Sequence, residues 1–146
     1  MRRRLWLLLA AALIVVVLLL YPSTQCRVTD ADLTLSRPKT FAVPVDQGFA
    51  VGFSFNVTNR AECDVNAEKL RVILRSVLYQ NATQVTQNLD EVEGKSGAIK
   101  PGDSATFSFT FSSYFDRRPT MLNLRIEMTF GETGSVLVFD GELPVP

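Results

Sequence analysis

The chain of 146 residues contains no histidine, only two cysteines and a single tryptophan, Trp6, and its 15 basic residues are balanced by 15 acidic ones. Without an imidazole there is no Ser-His or Cys-His nucleophile pair, no metal site resting on histidine, and the commonest general base is missing. With no basic excess there is no footprint for nucleic acid. Two cysteines are too few for a disulfide-dense scaffold. Trp6 lies in the apolar amino-terminal run, so the Cys-Trp-Cys framework of true immunoglobulin domains is absent as well. Among the glycines, Gly94, Gly97 and Gly102 form no phosphate-cradling motif between a strand and a helix.

Charge is also missing from Leu5 to Tyr21 (LWLLLAAALIVVVLLLY), a run that follows Arg2, Arg3 and Arg4 and stops at Pro22. As a helix it would cover about 25 Å of a hydrocarbon core about 30 Å thick. Its Leu, Ile and Val residues favour insertion by several kcal/mol, about 0.3–0.6 each. The basic residues before it and the lack of such a cluster after it predict a cytoplasmic segment at residues 1–4, a transmembrane signal anchor at 5–21, a stalk at 22–27 and an extracytoplasmic domain at 28–146. Two alternatives stay open. A removed secretory signal would want a small-x-small pair, which Pro22-Ser23-Thr24-Gln25-Cys26 does not offer. Lipidation at Cys26 would want Leu at −3 and a small residue at −1, where Ser23 and Gln25 stand.

With Arg2, Arg3 and Arg4 set aside, 15 basic and 15 acidic residues become 12 and 15, so the external part carries a net charge of −3. Nothing electrostatic draws it to an anionic bilayer. On the oxidising side Cys26 and Cys63 are a candidate disulfide, worth about 4 kcal/mol in the chain-entropy account, which would pin the stalk to a strand end. Two unpaired thiols are the alternative.

The external domain has a period of two. Phe49, Val51, Phe53, Phe55 and Val57 alternate with small or polar residues, as do Phe107, Phe109 and Phe111, and Leu122, Leu124, Ile126, Met128 and Phe130. Each pattern predicts a strand with one buried face. Gly131-Glu132-Thr133-Gly134 predicts a hairpin into Val136–Leu143, and Lys100-Pro101-Gly102-Asp103 a turn. Val28–Leu35 reads as a first strand, and Pro38 and Pro44 mark an edge or linker segment after it. Glu68–Tyr79 fits either a helix or a strand. Val72, Ile73, Val77 and Tyr79 favour the strand, with Leu70, Val72, Leu74 and Leu78 inward. The fold class expected is all-β: an immunoglobulin-like antiparallel β-sandwich of about seven strands, preceded by one N-terminal transmembrane helix.

The stretch FSFNVTNRAECDVNAEKLRVILRSVLYQNATQV, then AIKPGDSATFSFTF and a final hairpin, resembles the late embryogenesis abundant type 2 domain, also called the water-stress and hypersensitive response domain. The resemblance covers about Asp32 to Pro146. It departs at Asn59-Arg60-Ala61, where that family usually has Asn-Pro-Asn. It implies a seven-stranded sandwich, often behind one membrane helix, a stress-protective role, and no catalytic residues.

The remaining candidate chemistry is sparse. Asp30 and Asp32 are expected on one face of the first strand, and Asp90, Glu91 and Glu93 in a loop, without the spacing of a calcium loop. No metal or other cofactor is expected. Asn81-Ala82-Thr83 and Asn56-Val57-Thr58 are N-glycosylation sequons, Asn81 in a turn being the better acceptor. If Leu70, Val72 and Leu74 point inward, then Ile73, Val77 and Tyr79 point outward, and so do Val136 and Val138 in the last strand. These five are the candidate partner face, for a protein partner or self-association, on a sheet whose centre is the Leu122–Phe130 strand. The other partner expected is the lipid bilayer, through residues 5–21. These readings favour a non-catalytic, membrane-tethered binding or structural module of the cell envelope over a fibre subunit that donates Val28–Leu35 as a strand, and over an enzyme.

Overall fold

The computed structural model describes residues 28–81, 83–94, 97–131 and 136–146. The anchor expected at 5–21 and the stalk expected at 22–27, with Cys26, lie outside the described residues. Among the described residues no helix is long and apolar enough to cross a membrane.

All the regular structure described is β apart from one short turn, and it forms two antiparallel sheets. In chain order the strands are β1 (Leu33–Leu35), β2 (Lys39–Val45), β3 (Gly48–Asn59), β4 (Val65–Tyr79), β5 (Gln84–Gly94), β6 (Ala98–Ile99), β7 (Ser104–Thr110), β8 (Pro119–Phe130) and β9 (Val136–Pro144). In the smaller sheet β3 is central, with β7 on one side and β1 and β2 in succession on the other. The larger sheet runs β5-β4-β8-β9, with β6 pairing the start of β4. The expected strands flanking Leu122–Phe130 are therefore β4 and β9.

The two sheets fill one core with different side chains. The smaller sheet contributes rings: Phe53 and Phe109, directly opposite in the β3–β7 ladder, stack at 5.3 Å, and Phe55 and Phe107 at 5.6 Å. Each such pair adds about 0.5–1.5 kcal/mol beyond the area it buries. The larger sheet answers with aliphatic residues, Leu70, Val72, Leu74, Leu122, Leu124, Ile126 and Met128, each at most 1% exposed. Within each run of unbroken register these residues alternate with outward-facing ones, so all lie on one face, as the period of two requires.

Glu68–Tyr79 is strand, as favoured over the helix, inside β4. Other expectations need correction. The phase of β4 is not constant, because the register slips between Ala67 and Lys69 and again between Leu74 and Ser76. A bulge inserts one residue and turns every later side chain over. After Arg75 it is therefore Val77 and Tyr79 that enter the core, while Leu78 is only half-buried. The first strand is shorter than expected: Asp30–Asp32 forms a 3-10 turn and only Leu33–Leu35 pairs, with Val57–Asn59 of β3. That segment is already used within its own sheet. Asp90, Glu91 and Glu93 lie in β5 and not in a loop. β2 is an edge strand carrying Pro44.

Candidate functional site: two outer sheet faces and a shared corner

At the corner where the sheets meet, Asn59 ends β3 and is fully buried. Its amide Nδ2 donates to the carbonyls of Cys63 (2.7 Å) and Ile99 (2.8 Å), and its Oδ1 accepts from the Ala61 N–H (2.9 Å). Its backbone pairs with Asp103 and Gly102. A buried amide is tolerated because its polar atoms are matched. Its neighbour at this corner, Cys63, is disulfide-bonded. Cys26, the chain's only other cysteine, lies outside the described residues, and the Cys26–Cys63 pairing remains a proposal.

The outer face of the larger sheet carries a ladder of ion pairs. Arg71 on β4 pairs with Asp90 on β5 (2.7 Å) and lies 3.6 Å from Glu127 on β8. Arg125 lies 2.7 Å from Glu127 and 3.5 Å from Asp140 on β9. Arg75, projected by the second bulge, reaches Asp140 with its two terminal guanidinium nitrogens at 2.6 and 2.9 Å. Three arginines thus neutralise three carboxylates across four strands. The hydrogen bond from Arg71 holds the Asp90 carboxyl below its ordinary value, and the hydrogen bond from Arg75 does the same for Asp140. This is where the candidate partner face was expected. Val138 is exposed there and Ile73 half-buried. Val77 and Tyr79 are withdrawn from that face: both are core residues, at 0% and 5% exposure, for the bulge reason given above. Val136 begins β9, and its side chain lies outside the described residues. Those apolar residues therefore form no continuous stripe.

Beside the ladder is a small notch of about 60 Å³ lined by Ser76, Leu78, Gln84, Met121, Asn123 and Glu142. Gln84 donates to the Ser76 hydroxyl, and the Asn123 Oδ1 facing this region has no partner among the described residues.

The outer face of the smaller sheet is nearly uncharged. β7 presents Ser104, Thr106, Ser108 and Thr110, and β3 presents Ser54, Asn56 and Thr58 beside them. Thr106 donates to the Asn56 side chain (2.8 Å), and Thr58 shares a hydrogen bond with Ser104 (2.6 Å). Toward the other end, the Phe41 ring of β2 crosses Gly52, where a Cβ would fall 2.4 Å from the ring. Val43 follows, half exposed. Lys39 is the one charged residue on this face among the described strands.

The two sequons separate. Asn81 sits exposed in the β4–β5 turn with φ 85°, whereas Asn56 is engaged by Thr106 on a strand. The carboxylates do not assemble into a site. Asp32 accepts from the Thr29 N–H and hydroxyl, which lowers its carboxyl below the ordinary value. As strand neighbours, Asp90 and Glu91 point to opposite faces, Asp90 to Arg71 and Glu91 to the N–H and hydroxyl of Ser112. Among the described residues no three of His, Cys, Asp and Glu gather as metal ligands. The bulge that placed Arg75 and the turning-over of Val77 carried no local signal, since both follow from which residues of β4 and β8 pair.

No family model and no curated protein matches the chain. In fold it is similar to a structural-genomics target designated SoR45, at 11% identity and a TM-score of 0.51, over 80% of this chain and 89% of that one. Other similar structures are the protein described as ApaA from Bordetella pertussis (14% identity, TM-score 0.47, 79% and 94% covered) and the sporulation control protein Spo0M from Bacillus subtilis (14%, 0.40, 75% and 49%). At these identities the likeness concerns the fold alone.

Proposed function

We propose that the chain is a non-catalytic, membrane-tethered module of the cell envelope, an immunoglobulin-like sandwich held outside the bilayer that binds or builds and does no chemistry. The observation that carries this reading is the charge-free run Leu5–Tyr21 behind Arg2, Arg3 and Arg4, followed directly by a single β domain. The absence of histidine from the sequence and the engagement of Asp90, Asp140 and Glu91 by Arg71, Arg75 and Ser112 support the non-catalytic half. A stress-protective role of the late embryogenesis abundant type 2 kind belongs to the same proposal and rests on the sequence resemblance; the buried, fully bonded Asn59 at the corner is compatible with it. Protease added to intact cells tests the topology. The domain should be digested from outside, and mass spectrometry of the membrane fraction should find the chain intact from Met1 with Cys26 joined to Cys63. Protection in intact cells would refute the outside placement, and a chain beginning near Cys26 would replace the anchor with secretion or lipidation.

A further inference from the structure

Every strand edge in a sandwich offers unpaired N–H and C=O groups, and proteins blunt these with charge, proline, bulges or short length. Three of the long edges here are blunted. β2 carries Lys39 and Pro44, β5 carries Asp90, Glu91 and Glu93 with Asn88 at φ 44°, and β9 carries Asp140, Glu142 and Pro144. β7 has none of these devices: Ser104–Thr110 is uncharged and free of proline, and among the described residues it pairs only with β3.

The direction of its free groups can be read from one bond. The Phe111 N–H donates to Val51 of β3, so the odd-numbered residues of this strand face β3 and the even-numbered ones, Ser104, Thr106, Ser108 and Thr110, turn their N–H and C=O outward. The next outward N–H, that of Ser112, is taken by the Glu91 carboxylate. At the other end Asp103 supplies a charge. An open ladder of seven residues is thus bracketed on both sides.

We propose that this edge joins a second copy of the chain through antiparallel β7–β7 pairing about a two-fold axis at Phe107, making one continuous sheet from two smaller ones. A second copy fits because the strand on offer is its own complement. With the axis at Phe107, Thr106 stands opposite Ser108 of the second copy and Ser104 opposite Thr110, so hydroxyl residues meet on the outer face and phenylalanines on the inner, with no charge opposed. Phe107, at 9% the most exposed ring of the core, becomes covered by its symmetry mate. This inference names the partner for the binding role proposed above and does not depend on the tether.

The full chain in detergent micelles tests it, with Thr106→Cys and Ser108→Cys prepared separately and exposed to a short bis-maleimide. Mixed together they should give several-fold more cross-linked dimer than either alone, because only the mixture sets 106 against 108. Ser108→Pro, which removes an N–H pointing away from β3, should abolish the dimer in sedimentation while the melting temperature stays within a few degrees. Equal cross-linking in all three samples, none in any, or a dimer that survives Ser108→Pro would each overturn the pairing. Because protease topology is measured separately, a monomer outside the bilayer would sink this inference and leave the tethered module standing.

Discussion

The two outer faces of this sandwich solve the same problem in opposite ways. On the larger sheet, Arg71, Arg75 and Arg125 answer Asp90, Glu127 and Asp140 across β5, β4, β8 and β9, so the surface is charged yet internally neutral. On the smaller sheet the outward residues of β3 and β7 named above are hydroxyls and an amide, with Thr58 bonded to Ser104 and Thr106 to Asn56. A face of satisfied ion pairs resists pairing with another protein, since every approach must desolvate charges that already have partners. A face of neutral hydroxyls at an unguarded edge carries no such barrier. On the proposed pairing, charge placement, more than apolar area, distinguishes the two faces.

The largest effect should come from the corner that both faces share. Asn59→Ala would leave the carbonyls of Cys63 and Ile99 without their donor and should cost about 3 kcal/mol, measured by chemical unfolding. If the loss is under ~1 kcal/mol, the amide is not what joins the sheets. Next, Gly52→Ala places a methyl against the Phe41 ring and the Phe109 carbonyl and should destabilise by about 1–3 kcal/mol, with Phe41 displaced from the outer face of the smaller sheet in NMR spectra.

The ion-pair face should respond to pH and salt, and the hydroxyl face to neither. Asp90 and Asp140 have carboxyls held below their ordinary values when folded, so their contribution is present above the unfolded carboxylate range and lost as pH falls through the lowered folded values. Thermal melts should therefore weaken on acidification, and the Asp140→Asn variant should show a shallower acid slope than wild type. Arg75→Ala should cost little at low ionic strength and nothing measurable near ~1 M salt, where exposed pairs are screened. Smallest of all, Thr106→Lys should leave stability within about 0.5 kcal/mol while adding a charge to β7, and sedimentation should then report a monomer at every concentration. An unchanged association state would mean that the uncharged edge is not where copies meet.

Much of the architecture was legible because the strands advertise it. Phe49–Val57, Phe107–Phe111 and Leu122–Phe130 alternate so strictly that their inner faces could be read before any sheet was known, and the Gly131–Gly134 segment placed β9 beside β8. Val28–Leu35 was over-read, because its local bond from Thr29 to Asp32 competes with the ladder and holds a turn. β4 was half-read. Its apolar residues identified a strand, but no local pattern states that Glu68 and Arg75 are extra residues relative to β8. The candidate partner face followed from an unbroken alternation through Arg75, and it failed at Val77 and Tyr79 for that reason.

Alternation of side-chain character is a property of the chain by itself, and it determined the class, the principal strands and most core residues. Register between β4 and β8 belongs to two segments at once and is selected by the packing of the whole core. Only the tertiary structure, therefore, could decide that Arg75 would reach Asp140, that Val77 would be buried, and that β7 would pair, among the described residues, with β3 alone.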